Sequence, residues 1–338
     1  MLSLSKAEKA FIQAGLVAAP PSRADGRGLL DFRAVALETA VAPLANGSAR
    51  LSIGRNPHDA GGGTEVVAAT KLQVESSDDD NDDDGRIICT VSCSPSAYPH
   101  LSPAALDDVQ ADLTSLLQHT LAHPSLRPRN LAILTRSKSW LLHLDVLVLA
   151  DAGNVLDALF MAARAALWDT RVPRTRPVEY RAPAPPSTPA GAGADEDAHE
   201  TAQKQSGFDT RVVPKATDFE LPDYWDDGAV LDGRARWPVA LTLNLEPTSH
   251  FLDATAHEEA ASPLKLLLLF SFPDAQPAVL QGTRLLGPGE LAPARLKQLI
   301  QARRPRPPLA DSSHADLGRR GIRPRAPRRA RRQAQRRG

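Results

Sequence analysis

The chain has 338 residues, of which 42% are hydrophobic, with two cysteines and equal numbers of basic and acidic residues, 40 each. Such a length supports one large domain or two small ones with a sizeable core. Cys89 and Cys93, about 13 Å apart if they share a strand face, exclude a disulfide framework and a cysteine metal site. The apolar runs at 140–150 and 264–272 are too short to span a bilayer, and no signal peptide opens the sequence, so a soluble intracellular protein is expected. The zero net charge hides an imbalance: residues 303–338 carry 13 arginines against Asp311 and Asp316, a net of +11, which leaves −11 on the rest. A basic, proline-containing arm of this kind is expected to be disordered and to attract polyanions.

In chain order, Ser5 with Glu8 three residues later forms a capping box for a short docking helix within 1–22, with Phe11, Ile12 and Leu16 on its apolar side. "SRADGRGLLDFR" reads as a polar connection. Val35, Leu37, Thr39 and Val41 then alternate as a strand, Asn46-Gly47 signals a hairpin turn, and Ala49, Leu51 and Ile53 alternate on the return. A loop at 56–63 precedes a strand at 64–75, and the acidic run "DDDNDDD" (78–84) separates that strand from one at 86–93. Leu106, Val109, Leu113, Leu116 and Leu117 recur at helical spacing, ending near His123-Pro124. Strands at 130–135 and 140–150 lead into Asp151-Ala152-Gly153 and a helix at 155–168, with Asn154 as its N-cap and Asp157 in its first turn.

Residues 181–206 are rich in Pro, Ala and Gly and then charged, without periodicity, as expected of a disordered insertion. Strands resume at 237–245, 249–253, 264–272 and 278–285. A closing helix starts at Pro293 and turns Leu296, Leu299 and Ile300 inward. This order predicts an α+β fold in two similar halves, 23–180 and 207–302, between the helical segment 1–22 and the basic tail 303–338.

Several motifs carry candidate chemistry. Asp80, Asp82, Asp84 and Gly85 imitate the start of a calcium loop, but its twelfth position is Val91 rather than a bidentate Glu, so a solvated acidic loop is expected. His257-Glu258 fails as a zinc helix because Ala261 stands where the second His belongs. His143 and Asp145 share one face of a strand, as an acid/base pair or as a hydrogen-bonded surface pair. Arg127, Arg129, Arg136 and Lys138 could line a path for RNA phosphates, and ordinary exposed charge fits their spacing equally. The apolar strand, glycine turn and helix around Gly153 have the geometry that aims backbone N–H groups at a phosphate.

"SKAEKAFIQAG", "RADGRGLLDFR", "LETAVAPLANGSARLSIG", "GRIICTVSCSPSA", "LDVLVLADAGNVLDALFMAARAALWDTRVP" and "FLDATAHEEAAS" together resemble successive signatures of the RNase PH superfamily, and among its members the exosome ring subunits. The resemblance covers roughly 3–180 and 237–301. It implies a duplicated βαβ-type fold with two mixed sheets packed around helices. It also implies a heterodimer with another RNase PH-like exosome subunit within a six-subunit ring, RNA-binding cap subunits above it, and RNA as the threaded polymer. Nucleus, nucleolus and cytoplasm are the implied locations, with no membrane and no cofactor. Phosphorolytic relatives hold phosphate with Thr or Ser just after the glycine, where this chain has Asn154, Val155 and Leu156. The resemblance places their catalytic carboxylate near Pro263 to Lys265, where no acid stands. A non-catalytic subunit is therefore expected, with Asp157 adding negative charge where an anion would sit. The alternatives are an active phosphate-dependent 3′-to-5′ exoribonuclease and a nucleolar RNA-binding protein acting through its tail.

Overall fold

A computed structural model of the protein describes residues 4–54, 62–76, 85–134, 138–178, 218–222, 228–272 and 278–303. The acidic run 78–84, the insertion 181–206, Arg136 and the tail beyond 303 lie outside the described residues. Helix α1 (Lys6–Val17) is capped as its sequence predicts: the Ser5 hydroxyl accepts the Glu8 amide, and the Glu8 carboxylate accepts the Ser5 amide. Strands β1 (Val35–Thr39), β2 (Gly47–Ile53), β3 (Thr64–Ser76) and β4 (Arg86–Cys93) follow. Next come α2 (Pro103–Leu121), β5 (Ala132–Leu134), β6 (Lys138–Ala150) and α3 (Val155–Asp169). Two short pairs, β7 (Arg171–Val172) with β10 (Ala229–Val230) and β8 (Arg176–Val178) with β9 (Asp218–Glu220), bridge to the second half. That half holds β11 (Val239–Leu245), β12 (His250–Phe251), α4 (Ala256–Ala261), β13 (Lys265–Ser271), β14 (Val279–Leu286) and α5 (Pro293–Arg303).

The first sheet runs β1-β2-β3-β6-β4, with β5 on β6; its described pairings are antiparallel except β4 against β6. The second runs β12-β11-β13-β14, antiparallel throughout the described strands. Period-two alternation puts Ala49, Leu51, Ile53, Val66, Ala68, Leu144, Val146 and Val148 on one buried face. Helix α3 lies on that face. Its sequence is apolar nearly all round, as suits a helix covered on both sides, and Leu159, Phe160, Ala163 and Leu167 are fully buried. Ala240 and Leu267 of the second sheet join the same core cluster, so α3 is the shared layer between the halves.

The edge at β4 is closed by α2. Gln110, Thr114 and Gln118, four residues apart on one helix face, accept the amides of Cys93 (2.9 Å), Val91 (2.9 Å) and Cys89 (2.6 Å). At the opposite edge all five residues of β1 are exposed.

Two local expectations need correction. Asn46-Gly47 does not make the hairpin turn; the turn closes earlier, from Ala42 to Ala45. Asn46 instead accepts the Leu72 amide through its side chain, and Gly47 is required because a Cβ there would meet the Ala166 carbonyl at 2.6 Å. Phe11, predicted on the apolar side of α1, is 78% exposed. The helix buries Leu16 and leans on Phe251 and Ala254 through Ile12.

Candidate functional site

β6 ends at Ala150, and the chain turns through Asp151-Ala152-Gly153-Asn154 into α3. Gly153 has φ +96°, and a Cβ there would fall on the Ala254 carbonyl, so only glycine allows α4's leading segment to pass this close. The turn's amides are already engaged. Ala152 N–H donates to the Thr64 hydroxyl (3.0 Å), Gly153 N–H to Asp151 Oδ1 (2.8 Å) and Asn154 N–H to Glu259 Oε1 (2.8 Å). The Thr64 hydroxyl donates in turn to the Gly153 carbonyl (2.6 Å), fastening β3 to the turn. The amides of residues 152–154 are thus met by side chains of the chain itself.

Asp253 organises the charge around it. Its side chain is fully buried, accepting Arg33 Nη2 at Oδ1 (2.8 Å), and Arg33 Nε (2.9 Å), the Arg33 amide (2.7 Å) and Arg27 Nη1 (2.8 Å) at Oδ2. Arg33 also donates to the carbonyls of Ala152 (3.1 Å) and Gly153 (3.0 Å). Arg23, buried, clasps Glu258 with Nε (2.8 Å) and Nη2 (2.6 Å) and donates to the carbonyls of Leu252 and Asp253. Lys265 pairs with Glu259 at 2.8 Å. Each of these four cations therefore faces a carboxylate. Burial works to raise the Asp253 carboxyl, but the hydrogen bonds and charge of Arg33 outweigh it and hold it below the ordinary range.

Asn154 sits at the N-cap position but does not cap with its side chain. Its backbone is left-handed (φ +60°), which turns the amide toward Asp253 Oδ1 at 3.0 Å. Asp157, expected where an anion would sit, points inward to β11, where the Thr242 hydroxyl donates to it at 2.6 Å. The second sheet covers that side of α3, so the residue is buried; the carboxylate at the helix start is Glu259. Lys265, in the stretch where an acid was sought, is the partner of Glu259.

The other candidates lie along the connection from α2 through β5 to β6, where Ala132 and Leu134 pair with Ser139 and Lys138. Arg127 is half-buried and Arg129 exposed, on the 3₁₀-turn connection from α2 to β5. Lys138 opens β6, where Asp218 pairs with it at 2.8 Å and the Phe219 ring lies 5.5 Å away. Arg136 lies outside the described residues. His143 and Asp145 share no hydrogen bond among the described residues, and His143 Nε2 is buried without a partner. The thiols are held protonated: burial, aided by Asp145, pushes Cys89 up to about 12, and burial with Asp151 pushes Cys93 up to about 11. Arg23, Arg27 and Arg33 were missed as site residues. Their signal was three arginines in one short connection with too few local acids to match them.

Residues 31–173 match the 3′ exoribonuclease family, domain 1, the RNase PH domain. The exosome complex component Rrp42 of Methanosarcina acetivorans is 34% identical over 152 residues, 45% of this chain and 54% of that protein. Its counterpart from Methanothermobacter thermautotrophicus is 31% identical over 152 residues, 45% and 53% of the two chains. The match thus spans about half the length of these curated relatives. A chain of an Archaeoglobus fulgidus exosome structure with RNA bound to the active site superposes with a TM-score of 0.60 at 21% identity, covering 87% of this chain and 92% of that one. An archaeal exosome core structure gives 0.57 at 21% identity, covering 87% and 91%. The fold is RNase PH-like across both halves.

Proposed function

We propose that the protein is a non-catalytic RNase PH-like ring subunit of the RNA exosome, supporting 3′-to-5′ RNA processing and decay, ribosomal RNA maturation included. The observation that carries this reading is the closed turn at the start of α3. A phosphorolytic site needs N–H or cationic donors free to grip phosphate and an acid or metal to handle charge in the transition state. Here Thr64, Asp151 and Glu259 occupy the amides of residues 152–154, and Arg23, Arg27, Arg33 and Lys265 are each matched by a carboxylate. A second anion would have to displace Glu259 and then face Asp253.

The role left is architectural. The exposed β1 edge lies beside an apolar groove of about 290 Å³ lined by Val35, Leu37, Phe160, Met161 and Trp168. Such a surface suits burial against another RNase PH-like subunit in a heterodimer within a six-membered ring. Cap subunits would then bring RNA to the ring, with Arg127, Arg129, Arg136 and Lys138 contributing phosphate contacts, in nucleus, nucleolus and cytoplasm.

Purified chain incubated with RNA and inorganic phosphate should release no nucleoside diphosphate. Nucleoside diphosphate release by the chain alone would replace this reading with that of an active exoribonuclease. The same assay with an RNase PH-like partner, together with identification of co-purifying subunits, tests the ring assignment.

A further inference from the structure

At the joint between α3 and β11, three buried side-chain hydrogen bonds lie near one another in the chain's register. Thr242 donates to Asp157 Oδ1; Asn154, one helical turn before Asp157, donates to Asp253; Asn244, two residues after Thr242 on the same face of β11, donates to the Phe251 carbonyl, two residues before Asp253. Three oxygens of these side chains are buried without a partner: Asn154 Oδ1, Asp157 Oδ2 and Asn244 Oδ1. Their residues are at most 2% exposed. All three atoms are acceptors. Flipping Asn154 would point its carbonyl at the Asp253 carboxylate, so its orientation is set by the network. A buried set of acceptors without a donor costs free energy for each unpaired atom.

We propose that Asp157 is carried in the native fold as a neutral carboxylic acid, its proton borne on the buried Oδ2 that meets no donor, so that the joint between α3 and the second sheet is latched by a proton. The surroundings favour it. The faces of β2, β3 and β6 toward α3 present Ala49, Leu51, Ile53, Val66, Ala68, Leu144, Val146 and Val148, none of them charged. On the β11 side stand Thr242 and Asn244. The charge acting on it is Asp253, of like sign, whose own charge is met by Arg27 and Arg33; Glu259 is held by Lys265. Burial pushes the Asp157 carboxyl up to about 7, opposed by hydrogen bonds from Thr242 and Asn154 and reinforced by Asp253.

The sign follows from linkage. A carboxyl raised in the folded state keeps a proton that the unfolded chain has lost, so stability falls as pH rises from the unfolded value, about 4, to the folded value, and is flat above it. The test uses the full chain with its aspartate Cγ carbons labelled with ¹³C. One Cγ resonance should titrate near neutrality, and Thr242→Val, which removes a donor to the ionised form, should move that midpoint upward. Relative to Asp157→Asn, whose amide donates at every pH, the wild-type unfolding constant should grow up to about tenfold per pH unit between about pH 4 and pH 7. Parallel profiles, or aspartate resonances that all titrate in the ordinary acid range, overturn the proposal. If Asp157→Asn does not fold, the wild-type and Thr242→Val titrations decide alone.

Discussion

The two edges of the first sheet are treated in opposite ways. At β4, every second amide is met by a side chain of α2, and the helix packs Leu113, Leu116, Leu117 and Leu121 beneath it. At β1, Val35 and Leu37 are about half exposed, at 46% and 52%, beside an open apolar groove. An unpaired edge of this kind is a surface proteins normally blunt. Among the described residues the chain blunts one edge and leaves the other, and the proposed ring interface would use the open one. The turn at the head of α3 belongs with the sealed edge, since the amides of residues 152–154 are satisfied internally.

Perturbing the sealed regions should cost most. Asp253→Ala leaves Arg33 and Arg27 without their shared buried carboxylate, and chemical denaturation should show a loss of about 3–5 kcal/mol. The Asp253 carboxyl is depressed in the fold, so its contribution is present above the unfolded pKa and lost as pH falls through the folded one. The Asp253→Ala deficit should therefore shrink in acid. A smaller loss, about 1–3 kcal/mol, is expected for Gln118→Leu, which strands the Cys89 amide at the β4 edge. At the open edge, Leu37→Ser should change the isolated chain's stability by less than about 0.5 kcal/mol while weakening co-assembly with an RNase PH-like partner. If Leu37→Ser destabilises the chain as much as Gln118→Leu does, the contrast between the edges is wrong.

Much of the architecture was legible because it is periodic. The alternation in β2, β3 and β6, the helical spacing in α2 and the Ser5–Glu8 box each state their structure within a few residues. The site was legible only in outline. The strand, glycine and helix around Gly153 announce the turn, but what fills it arrives from elsewhere: Glu259 is 105 residues from Asn154, and Arg23 is 235 from Glu258. Local rules placed Asn154 as a side-chain cap and Asp157 as a charge at the helix mouth. The left-handed backbone of Asn154 and the second sheet covering α3 overrode both, and neither is visible from neighbouring residues.

The Arg23–Glu258 clasp also bears on how the molecule is made. During synthesis the guanidinium emerges early and has no counterpart until more than 230 further residues have been translated. Ribosome-bound nascent chains halted before the second half should therefore leave their amino-terminal segment open to protease, and chains extended past residue 262 should close it.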